Sequence, residues 1–309
     1  MTLPAVIEDL RTRAQNLRRR IVLPEVDDPR MVEARRSIEE SGIADIVWVE
    51  DPAMSPWVTE VAEHIYQQRK HRGGTSEDAV RLSRDPLYFG ASLVHLGHAD
   101  ASVAGAAHPT AEVIRAGIHC VGTAPEISTV SSTFLMVRGE EVFSYADCGV
   151  VPQPDTEQLV EIAKSTAQNH ALLSGQRPRV AFLSFSTRGS ASHPRAETVR
   201  QAANQFRKQC PGTIADGELQ FDSAYVPGIA AQKAPESPIA GMANVFIFPD
   251  LGAGNIAYKI SERLGGFLAF GPIVQGLAKP CLDLSRGCGV SDIENVVAVA
   301  SVMSGSGTG

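Results

Sequence analysis

The segment Asp283–Asp292 combines side chains that could bind an anion and move a proton, and it lies between a predicted strand and a predicted helix. Ser285 supplies a hydroxyl and Arg286 supplies a guanidinium, whose planar fork matches two phosphate oxygens. Asp292 falls at the predicted helix start, where an acidic side chain could act as a base. A plain helix cap formed by Ser291 or Asp292 is the alternative, and residue types alone favour it over catalysis.

A second polar loop, Ser184–Ser190, follows the apolar run Val180–Leu183. Ligands of α/β proteins usually bind at the carboxyl ends of strands, and the hydroxyls, Arg188 and Gly189 would suit an anion. An ordinary polar turn is an equally good interpretation. The loop lacks the spacing of a nucleotide-binding P-loop, and Gly252–Asn255 lacks the third glycine of a dinucleotide fingerprint.

Three further groups of residues are weaker candidates. The basic run Gln67–Arg72 is typical of a solvated helix end. His95 and His98 could share a helical face, but no nearby carboxylate or cysteine completes a metal-ligand set, so a metal site is disfavoured. Cys148 and Cys288 have no neighbouring histidine in sequence, so a cysteine nucleophile is disfavoured as well.

The pattern of elements predicts an α/β fold. Continuous apolar runs alternate with amphipathic stretches, which is typical of mainly parallel sheets covered by helices. The polar, proline-interrupted stretch Asp147–Pro154 indicates a connection between two domains. The predicted strands are residues 21–23, 46–49, 101–104, 129–130, 134–137, 142–143, 180–183 and 245–248, and the predicted helices begin near residues 28, 75, 110, 156, 195 and 252.

Composition limits the classes of function. A chain of 309 residues with 43% hydrophobic residues can form two domains with sizeable cores. A net charge of −7 gives no general attraction to nucleic acid or to anionic membranes. Five scattered cysteines without a CxxC pair indicate reduced thiols, and no apolar run reaches the roughly 20 residues that span a bilayer. We therefore expect a soluble, cytoplasmic protein.

Short motifs along nearly the whole chain resemble the phosphate acetyl/butyryltransferase family. Each motif is weak alone, but together they occur in the order that is found in the family. The matching stretches are Arg20–Glu25, Asp27–Arg30, Asp85–Gly90, Leu96–Gly97, Val103–Ala106, Thr129–Ser132 with Phe134, Tyr145–Cys148, Pro178–Ala181, Leu183–Thr187 with Gly189–Ser190, Asp216–Gln220, Lys233–Pro235 with Ser237, Ala243–Asn244, Phe248–Leu251, Gly254–Asn255 with Tyr258–Lys259, and Asp283–Cys288.

The resemblance implies two α/β domains similar to those of isocitrate and isopropylmalate dehydrogenases, with the active site in the interdomain cleft, and a homodimer. The C-terminal helix would return to the first domain. With the connection above, this places residues 1–147 and 290–309 in the first domain and residues 148–289 in the second.

The resemblance also implies roles for individual residues. Asp292 resembles the general base of the family, Arg286 the acetyl phosphate ligand and Ser285 its hydroxyl partner. Arg69 and Arg115 resemble the arginines that assist coenzyme A binding. The implied reaction moves an acetyl group between coenzyme A and inorganic phosphate in a ternary complex, with coenzyme A as a substrate and without a metal or a bound cofactor.

Three positions depart from the family pattern. Val26 and Gly289 stand where glycine and serine are usual, and the chain ends in Ser and Gly rather than in apolar residues. Ser285, Arg286 and Asp292 are intact, so activity is expected while acyl specificity stays open. Alternatives are transfer of butyryl or propionyl groups, a non-catalytic acetyl-CoA sensor, or a nicotinamide dehydrogenase of similar fold, although no convincing cluster of metal-binding aspartates is present.

Overall fold

A computed structural model describes residues 3–305 of the chain. These residues divide into two compact units. The first comprises Ile7–Glu126 and the chain from Gly271 onward, and the second comprises Ile127–Phe270 with the short stretch before Ile7. The mixed α/β architecture with mainly parallel strands is confirmed. No helix within residues 3–305 is long and apolar enough to cross a membrane.

The first unit is built on a parallel four-stranded sheet with the strand order β10-β3-β1-β2. Every residue of β3 and β10 is buried, as expected for strands covered by helices on both faces. The strands are β1 (Arg20–Val22), β2 (Asp45–Val47), β3 (Ala101–Ala104) and β10 (Cys281–Asp283), and the helices are α1 (Ala5–Leu17), α2 (Pro29–Ser41), α3 (Val58–Arg69), α4 (Ser76–Leu82), α5 (Pro86–Leu96), α6 (Thr110–Cys120) and α12 (Val290–Gly305), with 3-10 turns at Pro52–Met54 and Lys70–Arg72.

The second unit contains a six-stranded sheet with the order β7-β6-β8-β5-β4-β9, in which the last strand continues beyond the end of this unit at Phe270. β4 and β5 form an antiparallel hairpin, whereas β5, β8, β6 and β7 are paired in parallel. The strands are β4 (Ser131–Arg138), β5 (Glu141–Ala146), β6 (Arg179–Leu183), β7 (Ile214–Leu219), β8 (Val245–Ile247) and β9 (Leu268–Gln275), and the helices are α7 (Thr156–Ser174), α8 (Pro194–Gln209), α9 (Phe221–Tyr225), α10 (Pro227–Lys233) and α11 (Leu251–Arg263).

Local signals account for the ends of several elements. Asp28 caps α2 by accepting a hydrogen bond from the N–H of Arg30, and Gly42 ends the helix in the left-handed region. Thr75 begins α4 with a complete capping box that involves Asp78. These termini agree with the sequence-based predictions at Asp28 and Thr75.

The division between the compact units differs from the predicted boundaries at residues 147/148 and 289/290. Asp147 was expected to open a domain connection, but it is 2% exposed inside the second unit. Its carboxylate accepts hydrogen bonds from the N–H groups of Ser132, Gly149 and Val151. These bonds tie the polar stretch to the β4–β5 hairpin, so the division occurs before this hairpin. Residues 306–309, which carry most of the Ser/Gly terminus, lie outside the described part of the chain.

Candidate active site

Three loops of the first unit meet at one edge of its parallel sheet. β10, β3 and β1 are neighbours that run in the same direction, so their carboxyl ends lie side by side. Glu25 follows β1, Gly105 follows β3 and Leu284 follows β10. This edge brings Ser285, Arg286 and the start of α12 next to the loop after β3.

Glu25 fixes the loop after β3. Its carboxylate accepts hydrogen bonds from the four consecutive backbone N–H groups of residues 105–108, at 2.8–3.0 Å. The Nδ1 atom of His108 lies 2.7 Å from the same carboxylate. The Glu25 side chain is 1% exposed, so these charge-assisted bonds satisfy a buried anion and hold the loop rigidly.

Asp283, at the end of β10, is a second buried carboxylate at this edge. Its Oδ2 accepts a hydrogen bond of 2.6 Å from the Thr110 hydroxyl, and its Oδ1 has no partner in the structure. Burial raises the pKa of Asp283 to about 7. Gly105 has φ +108°, and a Cβ added there would lie 2.3 Å from Asp283 Oδ1, so only glycine allows the two loops to approach this closely.

Arg30, near the start of α2, connects the three loops. Its guanidinium donates to the carbonyl oxygens of Ala106 at 2.7 Å, Arg286 at 2.8 Å and Cys288 at 3.0 Å. Asp28 receives two further hydrogen bonds from it, at 3.0 and 2.7 Å, and this bidentate pair fixes the orientation of the planar guanidinium. The sequence contains Arg30 in one of the family motifs, but only the fold shows that it fixes the loop after β10.

Ser285 and Arg286 are exposed at the tip of this fixed loop. The Arg286 guanidinium has no carboxylate or carbonyl partner among residues 3–305, and the N–H groups of Ser285 and Arg286 also donate no hydrogen bond there. The Ser285 Oγ accepts a hydrogen bond of 3.3 Å from the N–H of Gly287 and keeps its own proton for donation. The predicted hydroxyl and guanidinium are thus adjacent, and both are available to an anionic ligand.

Asp292 lies in the first turn of α12, which begins at Val290, two residues before the helix start that the sequence predicts at Asp292. Its Oδ2 accepts a hydrogen bond of 2.9 Å from the N–H of Gly289, directly before the helix. The carboxylate is exposed, and its Oδ1 has no hydrogen-bond partner within the described residues. One oxygen therefore stabilises the helix start while the other could accept a proton, so the geometry is compatible with both interpretations made from the sequence.

Arg69 and Arg115 lie in a separate group of side chains. Arg69 ends α3, Arg115 is on α6, and both lower the pKa of His119, so their charges lie near the same imidazole. Neither arginine forms an ion pair within residues 3–305, and no hydrogen bond joins them to the segment Asp283–Asp292. The structure places the two predicted coenzyme A residues near one imidazole. Of the other three predicted residues, Ser285 and Arg286 lie on the loop after β10 and Asp292 lies in the first turn of α12.

The other sequence candidates have internal partners. In the Ser184–Ser190 loop, Arg188 pairs with buried Asp216 at 2.6 Å, and Glu218 accepts hydrogen bonds from the Ser186 hydroxyl and the Gly189 N–H. The loop is therefore held by carboxylates of β7, which favours the interpretation of it as a polar turn over that of an anion site.

The remaining candidates are spread over different environments. His95 stacks on His64 with ring centroids 4.1 Å apart, whereas His98 stacks on Trp57 at 4.9 Å, so the two predicted histidines face different partners. Burial raises the pKa of both Cys148 and Cys288, which keeps their thiols protonated.

Comparison with known proteins identifies the family. The family model described as phosphate acetyl/butaryl transferase matches residues 47–301. A phosphate acetyltransferase of Paracoccus denitrificans is 46% identical over 94% of this chain and 96% of its own length, and one of Thermoanaerobacterium thermosaccharolyticum is 42% identical over 96% and 99%. A phosphotransacetylase structure from Streptococcus pyogenes, 37% identical, covers 98% of this chain and 99% of its own with a TM-score of 0.92. The chain therefore belongs to the phosphate acetyl/butyryltransferase family.

Proposed function

We propose that the chain catalyses the reversible transfer of an acetyl group between acetyl-CoA and inorganic phosphate, which gives acetyl phosphate and coenzyme A. The observation that carries this proposal is the loop after β10. Arg30 fixes the backbone of this loop, which presents the exposed, unpaired Arg286 guanidinium and the Ser285 hydroxyl. Such a fork suits the phosphoryl oxygens of phosphate or acetyl phosphate. Relatives that are called phosphate acetyltransferases support the acetyl group as the one transferred.

In the direction of acetyl-CoA synthesis, Asp292 takes the thiol proton of coenzyme A. The sulfur then forms a bond to the acetyl carbon, and the bond from that carbon to the phosphate oxygen breaks. Only about 3% of a thiol with a pKa near 8.5 is ionised at neutral pH, so a positioned base contributes about 10²–10⁴-fold. The free Oδ1 of Asp292 is the atom that we assign to this task, because Oδ2 remains bonded to the Gly289 N–H.

The substrates are held by different groups of residues. Arg286 binds the phosphoryl oxygens, and Ser285 with the free N–H groups of its loop stabilises the oxyanion that develops on the acetyl oxygen. Arg69 and Arg115 bind a phosphate of coenzyme A. Both substrates bind at once, so proximity supplies part of the rate, and no acyl-enzyme forms. The raised pKa of the buried Cys288 thiol supports direct transfer, since this thiol is a poor nucleophile.

The test is the release of free thiol from acetyl-, propionyl- and butyryl-CoA, measured with and without phosphate and with and without a chelator of divalent ions. The proposal predicts phosphate-dependent release that is fastest with acetyl-CoA and insensitive to the chelator. Faster release from butyryl-CoA would reassign the acyl group. Binding of acetyl-CoA without any turnover would indicate a sensor, and loss of activity restored by one divalent ion would contradict the proposed mechanism.

The proposal extends to assembly and location. We propose a homodimer, which light scattering combined with size-exclusion chromatography would test. We also propose that the protein acts in the cytoplasm, because Cys120, Cys148, Cys210, Cys281 and Cys288 are all free thiols, which is usual in a reducing compartment. Cell fractionation with antibody detection would check this location.

A further inference from the structure

A tyrosine–histidine pair lies beside the two arginines assigned to coenzyme A. The hydroxyl of Tyr88, on α5, is 2.8 Å from the Nδ1 atom of His119, on α6. Arg115 precedes His119 by four residues, which places both side chains on the same face of α6. The Nε2 atom of His119 has no hydrogen-bond partner within residues 3–305, and the residue is only partly buried. The imidazole is thus anchored at one nitrogen and free at the other.

The charged groups that shift the pKa of His119 are all positive. Burial, followed by the guanidinium groups of Arg69, Arg115 and Arg72, lowers its pKa to about 4. These groups come from α3, from α6 itself and from the 3-10 turn after α3, while α5 contributes the neutral Tyr88. Asp85 acts on Tyr88 but not on the imidazole, and none of the three arginines has an ion-pair partner among the described residues. The three arginines and His119 therefore form a cationic group that a bound anion would neutralise.

We propose that His119 is a further ligand of the 3′-phosphate of coenzyme A and that it takes up a proton when this phosphate binds beside Arg69 and Arg115. The inference rests on the proposed function, which makes coenzyme A a substrate, and it adds a residue to the binding site. The proton comes from solvent and adds to Nδ1, so the ring is cationic while its Nε2–H donates to a phosphate oxygen.

Tyr88 allows this change of protonation without losing its contact. A phenol can donate to the unprotonated Nδ1 of the neutral ring, and it can accept from the Nδ1–H of the imidazolium. The attraction of a bound dianion offsets the cost of burying the charged ring and the repulsion from the arginines, so the imidazolium becomes stable near neutral pH. Because the free protein binds less of this proton than the complex, coenzyme A should bind more tightly as the pH falls from 8 towards 6.

The experiment is calorimetric titration of His119→Gln and the unsubstituted protein with coenzyme A and with 3′-dephospho-coenzyme A at several pH values between 6 and 8. Each titration is run in two buffers of different ionisation enthalpy, so that proton uptake is measured directly. His98→Gln is the matched control, because His98 stacks on Trp57 and contacts Glu60 rather than the arginines.

The proposal predicts that His119→Gln takes up fewer protons with coenzyme A than the unsubstituted protein does. Its affinity for coenzyme A should fall about 10-fold at pH 6 and less at pH 8, while its affinity for the 3′-dephospho form stays unchanged. Tyr88→Phe removes only the hydroxyl that contacts His119. This variant should also show lower proton uptake and lower affinity for coenzyme A.

Equal proton uptake by His119→Gln and the unsubstituted protein would overturn the proposal, as would an equal loss of affinity for both forms of coenzyme A. Thermal unfolding of each variant verifies that it is folded. If His119→Gln does not fold, the same titrations of Tyr88→Phe test the proposal. Failure of the proposed function has a different signature, namely binding of coenzyme A without acetyl transfer to phosphate.

Discussion

The Arg30 guanidinium donates a hydrogen bond of 2.8 Å to the backbone carbonyl of Arg286, although 256 residues separate them in the chain. The same guanidinium donates to the carbonyl of Cys288, so it holds two backbone carbonyls of the loop that presents Ser285. Arg30 is therefore a positioning residue, which acts through the backbone of the residues that we assign to phosphate binding.

Arg30→Lys should lower kcat/KM for acetyl phosphate about 10- to 100-fold, while KM for coenzyme A changes little. Lysine keeps the positive charge, but its compact ammonium cannot span three carbonyls and Asp28, and displacements near 1 Å at a reacting centre can cost about 10²-fold. Steady-state kinetics would check this, with Arg36→Lys as control because Arg36 is exposed on the same helix. Unchanged kinetics in Arg30→Lys would remove the positioning role.

Arg69→Gln and Arg115→Gln should each raise KM for coenzyme A and leave KM for acetyl phosphate nearly constant. Charged hydrogen bonds are worth about 1.5–3 kcal/mol, which corresponds to roughly 10- to 150-fold. Both variants should also show a smaller preference for coenzyme A over its 3′-dephospho form. The control is Arg81→Gln, an exposed arginine that lies 3.5 Å from Asp78. If the preference stayed intact in both variants, neither arginine would contact the 3′-phosphate.

Asp283 should make the first unit less stable as the pH rises from about 4 to about 7. Burial raises its pKa from 3.8 to about 7, so the folded protein holds a proton that the unfolded chain has already released. Because of this difference in bound protons, folding is most favourable below the pKa that Asp283 has in the unfolded chain. This stabilisation is lost completely above the pKa that Asp283 has in the folded protein. It amounts to at most about 4 kcal/mol.

Asp283→Asn should remove this dependence, so the variant should gain stability relative to the unsubstituted protein between pH 5 and pH 8. Thermal unfolding followed by circular dichroism across this range measures the difference in Tm. Asp222→Asn is a suitable control, since its carboxylate is half exposed and paired with Lys233. A constant difference in Tm between the Asp283→Asn variant and the unsubstituted protein would show that Asp283 is ionised throughout.

Much of the fold could be predicted because its signals are local. Asp28 and Gly42 bound α2 through side-chain capping and a left-handed residue, which depend on the neighbouring backbone alone. The apolar runs of β3 and β6 are continuous because helices cover them. The anion-binding pair Ser285 and Arg286 is predictable because a hydroxyl and a guanidinium fork are neighbours in a loop between a predicted strand and a predicted helix.

The remaining features depend on contacts between distant parts of the chain. β7 carries Asp216 and Glu218, which are buried. Asp216 pairs with Arg188 and Arg207. Glu218 accepts hydrogen bonds from the Ser186 hydroxyl and the Gly189 N–H. Because these two positions are polar, β7 lacks the continuous apolar run by which the other buried strands are predicted. The roles of Glu25 and Arg30 likewise depend on the order of β10, β3 and β1 in the sheet, which brings three separate loops to one edge.

The most direct test of the account is Asp292→Asn, because asparagine can keep the hydrogen bond to the Gly289 N–H but cannot accept the thiol proton. The measurement is the pH profile of kcat for acetyl transfer from acetyl phosphate to coenzyme A, together with Tm. If Asp292 is the base, kcat should fall about 10²–10⁴-fold with an unchanged Tm, and part of the loss should return as the pH rises and the thiol ionises unaided. A fully active variant would show that Asp292 only stabilises the start of α12 and would contradict the mechanism.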